Sequence, residues 1–159
     1  MRLSLVCTGK LKEPYLRDAA EEYKKRISRY AELEILETPD EPVPERYSEA
    51  QRIQAMNREG ERMLKEIGPR EFVAALSITG KRQTSEAFAK SLEGWMAGGF
   101  TRITFVIGGS LGISSSVLSR ADAELSLSDL TFPHQLARIV LLEQVYRAFK
   151  IINNETYHK

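Results

Sequence analysis

The chain opens on alternation. From Arg2 to Thr8, apolar residues interleave with others at the two-residue period of a strand. Lys10 to Pro14 reads as a turn, and a helix is predicted from Pro14 to Tyr30. Proline suits a first helical position, and Leu16, Ala19, Tyr23, Ile27 and Tyr30 recur at helical spacing opposite a charged face. Leu33 to Leu36 predicts a second strand that ends at Thr38-Pro39-Asp40. Pro39, Pro42 and Pro44 exclude a helix from the following stretch. It reads as the most mobile segment, a lid or a linker. Ser48 opens the next helix with Gln51 at capping-box spacing. Ile53, Met56, Gly60, Leu64 and Ile67 mark one of its faces, and Gly68-Pro69 ends it.

Phe72 to Leu76 predicts a third strand, stopped near Gly80. Thr84 or Ser85 caps a helix through Trp95, closed by Gly98-Gly99. Arg102 to Ile107 is a fourth strand, Ser114 to Arg120 a short helix, Glu124 to Leu127 a fifth strand, and His134 to Asn153 the last helix. Strands that alternate with helices at this spacing predict an α/β fold, a parallel-rich sheet with helices on both faces, in a single domain over residues 1–159. The order of the strands is not written in the pattern.

Composition narrows the function. The 159 residues are 42 % apolar and 28 % charged, as in an ordinary globular domain. No apolar run approaches the ~20 residues of a membrane span, and the opening Met1 to Cys7 is too short and too soon broken for a signal peptide. A cytoplasmic protein is expected. Cys7 is the only cysteine, which excludes a disulfide framework and a thiolate metal cluster; in its apolar strand it reads as a small core residue. The net charge is +1, whereas a protein that grips free nucleic acid by its phosphates carries a large positive excess. If the partner is RNA, shape or an assembled particle supplies much of the recognition. The basic groups at Lys10 and Lys12, at Lys24-Lys25-Arg26 with Arg29, and at Lys81-Arg82 read first as solvated faces.

Three apolar runs break into turns: Leu76 to Gly80, Ile107 to Gly112, and Leu127 to Phe132. The glycine loop Gly108-Gly109-Ser110-Leu111-Gly112 lacks the Gly-Lys-Ser/Thr ending of a phosphate loop and does not match Gly-x-Gly-x-x-Gly. Alone it is either a tight strand-to-helix turn or a backbone approach for a ligand. Ligands in α/β folds gather at the carboxyl ends of strands. Three such turns at one sheet end predict a pocket with apolar walls and backbone polar groups. With no lysine in the turns, it suits a nucleoside without phosphates.

Longer stretches carry a specific likeness. Leu5-Val6-Cys7-Thr8-Gly9-Lys10, Phe105 to Gly112, Leu125-Ser126-Leu127-Ser128-Asp129-Leu130-Thr131-Phe132-Pro133-His134, the helix segment from Arg138 through Glu143-Gln144-Val145-Tyr146-Arg147-Ala148, and the tail Tyr157-His158-Lys159 together resemble the bacterial ribosomal RNA large-subunit methyltransferase H family of the SPOUT (α/β-knot) superfamily. The resemblance covers essentially the whole chain. Lys159 stands where some members carry arginine, which matters only for a bidentate contact. The resemblance implies a C-terminal trefoil knot, a homodimer, and S-adenosylmethionine (S-adenosyl-L-methionine) as cofactor. It implies cofactor contacts at Leu76, Gly108, Leu127, Ser128, Asp129, Leu130, Thr131 and Phe132. The implied substrate is a pseudouridine of a stem-loop in 23S ribosomal RNA, methylated at N3 on the assembled ribosome, with no metal and no membrane involved.

The N3 proton must be removed or its loss stabilised, and the candidates are His134, Arg138, Tyr157, His158 and Lys159. His134, at a helix start, reads as either a capping or a reacting group. Arg138 is the candidate for substrate charge, while Glu143 and Arg147 read as a helix-surface pair. The tail reads either as a frayed end or as an arm that reaches the other subunit's cofactor loops, with Tyr157 stacking on a base, His158 accepting the proton and Lys159 meeting phosphate or carbonyl. Two other readings stay open: a methyltransferase of the same class acting on tRNA or on a ribose 2′-hydroxyl, and a non-catalytic ribosome-associated nucleoside-binding protein.

Overall fold

Alternate residues of the first strand, β1 (Arg2–Thr8), point to opposite faces of a sheet, and both faces are covered. The computed structural model describes residues 1–159. After β1 come α1 (Pro14–Ile27), β2 (Glu32–Thr38), α2 (Glu49–Lys65), β3 (Phe72–Arg82), α3 (Ser85–Ala97), β4 (Ile103–Ile107), α4 (Ser115–Arg120), β5 (Ala123–Ser126) and α5 (His134–Ile152). The five strands lie in the order β2-β1-β4-β3-β5, and every neighbouring pair is parallel. The α/β expectation and the element sequence therefore hold.

Leu3, Leu5, Cys7, Ile103 and Phe105 face α1, α3 and α5 and build the larger core. Val6, Val73, Ala75 and Val106 face α2 and α4 through Met63 and Val117. A fully buried side chain of this size stabilises by about 1.5–3 kcal/mol. Cys7 is buried, and its thiol is pushed up to about 12, chiefly by burial. The hydroxyls of Ser4 and Thr104 satisfy each other across the second face at 2.9 Å.

Three elements differ from the pattern reading. The helix α1 stops at Ile27, where the chain turns toward β2. The strand β3 does not end before Gly80. Both Leu76 and Lys81 stand opposite Leu125, so residues 77–80 loop out and the ladder then resumes. Only glycine serves at position 80, because a Cβ there would lie 2.5 Å from the Leu125 carbonyl carbon. On α2 the capping box of Ser48 and Gln51 is present. The buried stripe, however, is Ala55, Glu59, Gly60 and Met63, and Ile53 is exposed.

Glu59 is the odd member of that stripe, 4 % exposed. Its Oε2 accepts the Glu41 N–H at 3.2 Å, and its Oε1 has no partner. The Glu41 carboxylate in turn accepts from Arg58 at 3.0 Å and Arg62 at 2.5 Å, so the proline-rich segment is strapped onto α2. Burial, reinforced by Asp40 and Glu41, pushes the Glu59 carboxyl above its ordinary range. A raised carboxyl contributes fully below its unfolded value of 4.5 and loses that contribution as pH rises through the raised value. Glu59→Gln keeps an oxygen for Glu41 and does not ionise. The variant should gain stability over the parent as pH rises from about 4 to about 8, read from urea midpoints at both ends. An equal difference at both pH values would show that Glu59 does not titrate in this range.

Candidate functional site

Because β4, β3 and β5 are adjacent and parallel, the chain segments that follow Ile107, Leu76 and Ser126 emerge side by side. They enclose a cavity of about 830 Å³, within the range of small-molecule sites. Leu76, Ile107 and Leu125 form apolar walls, with Met56 from α2 and Leu118 from α4. Arg52 is the one lysine or arginine in the lining, and its charge is shared with Glu49 at 2.8 Å.

The glycine turn forms the floor. Gly112 has φ +99°, a left-handed conformation that favours glycine. Its N–H donates to Gly109 O at 3.1 Å, and Arg52 Nη1 donates to Leu111 O at 2.9 Å. The Ser114 hydroxyl caps α4 and lies where a Cβ on Gly60 would be. The turn is thus held from α2 and by its own hydrogen bond. Across the cavity, the Ser128 hydroxyl accepts the Leu130 N–H at 3.0 Å and shapes the third loop.

Seven of the expected contact residues line this cavity: Leu76, Gly108, Leu127, Ser128, Leu130, Thr131 and Phe132. Asp129, the eighth, stands apart from them. Its carboxylate turns outward to Arg82 at 2.5 Å, and it is absent from the lining. His134 joins the wall at the first position of α5. Burial, helped by the Arg138 charge and opposed by Asp40, holds its imidazole below the ordinary range, so the ring is neutral at pH 7. If that lone pair serves the chemistry, His134→Ala should lower kcat at saturating substrate and leave the melting temperature within a few degrees. The cap position of α5 is Pro133 and no side chain caps it, so a fall in stability with kcat intact would assign His134 to packing alone.

Arg138 lies deeper in the fold. It is 2 % exposed, with Nη1 donating to Glu37 at 2.9 Å and Nη2 to Gly9 O at 3.0 Å. The guanidinium joins α5 to the ends of β1 and β2. Removing it would take the ion-pair partner from the Glu37 carboxylate and the side-chain donor from the Gly9 carbonyl.

The tail is not frayed. Asn154, at φ +53°, turns the chain back along α5. Tyr157 packs edge-on against Tyr146 at 4.9 Å, its hydroxyl donates to Glu143 at 3.1 Å, and the Arg147 guanidinium lies 4.8 Å from its ring centre. His158 sits between Arg147 and Glu86. Lys159 is exposed. None of the three lines the cavity of its own chain. The Glu143–Arg147 pair exists, at 2.6 Å, and also carries the tail.

Sequence reasoning missed Arg52 and Met56 in the cavity wall, and Glu86 against the tail. Arg52 and Met56 are one helical turn apart on α2, at i and i+4, but nothing in the chain pattern says which loop α2 lies under.

Comparison with known proteins decides the family. A family described as "Predicted SPOUT methyltransferase" matches residues 1–158. Proteins named "Ribosomal RNA large subunit methyltransferase H" from Ruminiclostridium cellulolyticum and Enterococcus faecalis are 50 % and 49 % identical to this chain over 159 residues, the whole of both chains. One of the same name from Limosilactobacillus reuteri is 52 % identical over the same span. The chain belongs to the SPOUT methyltransferase family. In this SPOUT chain no cluster of three or more His, Cys, Asp or Glu is arranged to hold a metal ion, and no helix is long and apolar enough to cross a membrane.

Proposed function

We propose that the protein is an S-adenosylmethionine-dependent methyltransferase that methylates N3 of a pseudouridine in 23S ribosomal RNA, working as a cytoplasmic homodimer on the assembled ribosome. The observation that carries this reading is the cavity at the ends of β4, β3 and β5, walled by apolar side chains and by the backbone of three turns. The relatives' names supply the RNA. The trefoil threading of α5 belongs to the same reading.

The residues present fit the cofactor. The volume accommodates a nucleoside with an amino-acid arm. Leu76, Ile107 and Leu125 offer apolar walls to an adenine, and the backbone of 127–132 offers its donors and acceptors to the base edge. Arg52 is the single lysine or arginine in the lining, enough to face one carboxylate. When bound, the cofactor supplies a methyl group already activated by its sulfonium, so no metal is required.

The chain's own tasks are then to align the target nitrogen, to keep water away and to accept one proton. His134 presents a neutral imidazole at the cavity wall. Tyr157, His158 and Lys159 stand outside the cavity of their own chain, so their part in the reaction requires a partner subunit, whose tail closes the neighbouring site. The small net charge accords with a substrate recognised as a folded particle rather than as free RNA.

The test has two arms. Calorimetry should show binding of S-adenosylmethionine and none of ATP or NAD. Labelled methyl transfer should be seen with ribosomes and should be much weaker with protein-free RNA, and nucleoside mass spectrometry of RNA from a deletion strain should lack one methylated pseudouridine. Loss of a tRNA or ribose methyl group instead would reassign the substrate, and binding without turnover on any RNA would make the protein a binder.

A further inference from the structure

A cluster of titratable side chains lies outside the cavity. It holds Glu86 from the first turn of α3, Glu143 and Arg147 from α5, and Tyr157 and His158 from the tail. Hydrogen-bonding capacity settles where its protons are. A guanidinium has donors and no acceptor. Arg147 Nη1 lies 3.1 Å from His158 Nδ1, so Nδ1 presents its lone pair. The ring proton is therefore on Nε2, which donates to Glu86 Oε1 at 2.8 Å. The reverse tautomer would set a lone pair against the carboxylate and an N–H against the guanidinium. Arg147 is itself fixed by Glu143, which it reaches at 3.0 Å and 2.6 Å, and the same Glu143 oxygen accepts the Tyr157 hydroxyl.

We propose that Glu86 is a positioning residue for methyl transfer, holding His158 as the Nε2–H tautomer so that Nδ1 is the atom that receives the proton of the target nitrogen. The inference rests on the tail's place in the reaction under the proposed function. In the step, Arg147 releases Nδ1 and keeps Glu143. The N–H bond of the base breaks, its electron pair stays on nitrogen as the nucleophile, and the proton bonds to Nδ1. The imidazolium that results carries one positive charge, directly beside the Glu86 carboxylate. The hydrogen bond from His158 already holds that carboxyl below its ordinary range. This is the service a carboxylate behind a basic histidine performs elsewhere: orientation, tautomer and compensation of the new charge.

The experiment uses the full-length protein. Nitrogen-15 spectra of the His158 ring should show an unprotonated Nδ1 and a protonated Nε2 in the parent. Glu86→Ala should give a mixture of tautomers, and Glu86→Gln, whose amide oxygen still accepts, should restore the single one. With ribosomes and saturating donor, Glu86→Ala should lower kcat about tenfold at unchanged donor affinity, as loss of support to a general base predicts, and Glu86→Gln should fall between it and the parent. A parent ring protonated at Nδ1, or a Glu86→Ala variant with the parent's kcat, overturns the proposal. His158→Ala separates the two levels. If it turns over at full rate, the reading of the tail fails and this inference with it. If it is inactive while Glu86→Ala is unimpaired, only the role of Glu86 fails.

Discussion

Gly108→Val is expected to abolish binding of the methyl donor while leaving a folded protein. A Cβ at this position would lie 2.6 Å from the Gly112 carbonyl oxygen and 2.8 Å from Ile113 Cγ1. The collision is with the turn itself, before any ligand is considered, and a backbone carbonyl cannot step aside as a flexible side chain can. The loop from Gly108 to Ile113 must open, and the backbone groups it presents to the cavity rotate away. Overpacking of this kind costs about 1–3 kcal/mol. Ile113 packs against the smaller core beside α2 and α4, whereas the larger core against α1, α3 and α5 does not include it, so cooperative unfolding should persist. Donor affinity should fall at least about 100-fold, equivalent to about 2.7 kcal/mol, measured by calorimetry. Gly94→Ala is the control: nothing lies within 4 Å of its Cβ, so donor affinity should match the parent. Unchanged affinity in a folded Gly108→Val protein would remove the glycine turn from the site.

Deleting Tyr157 to Lys159 should have the opposite signature. None of these residues lines the cavity, and their contacts run to Glu86, Glu143, Tyr146 and Arg147. Donor affinity should therefore stay within about twofold, since no lining group is lost. Transfer to ribosomes should fall by about 10²-fold or more, the scale of a lost general base. Mixing the truncated chain with a chain that carries Gly108→Val sharpens the test. A heterodimer would pair one intact cavity with one intact tail on different chains, and partial recovery of turnover would support action across the subunit boundary. Full turnover by the truncated protein alone would take the tail out of the mechanism.

How much of this could be read from the chain depends on what each feature rests on. Local rules decided the capping box at Ser48 and Gln51, the proline at the start of α1 and the three strand-end turns, and all are present. Features that arise from distant parts of the chain did not show. A period count favoured Ile53 on the inner face of α2, but the helix buries Glu59 instead, because the 39–41 strap supplies that carboxyl with a backbone N–H and brings Glu41 to Arg58 and Arg62. Arg138 sits one turn beyond His134 and shares its apparent promise. Only the β2-β1 edge of the sheet, invisible in the order of residues, turns it into a buried anchor to Glu37 and Gly9. Asp129 lies in the middle of a loop whose other members line the cavity, and its carboxylate pairs with Arg82, distant in the sequence, instead. In the order of residues Gly80 reads as the stop of β3, whereas in the fold it lets the backbone lie against Leu125.

That detour in β3 has a bearing on how such proteins diversify. The ladder departs from Leu125 at Leu76 and returns to the same residue at Lys81, so the sheet does not register how many residues lie between. Ile78, at its tip, is 83 % exposed and still reaches the cavity rim. Doubling a loop's length adds only about 0.6 kcal/mol of closure entropy. The segment is a cassette: insertions or deletions in it can reshape the mouth of the cavity among descendants of this scaffold while every hydrogen bond of the strands stays in place.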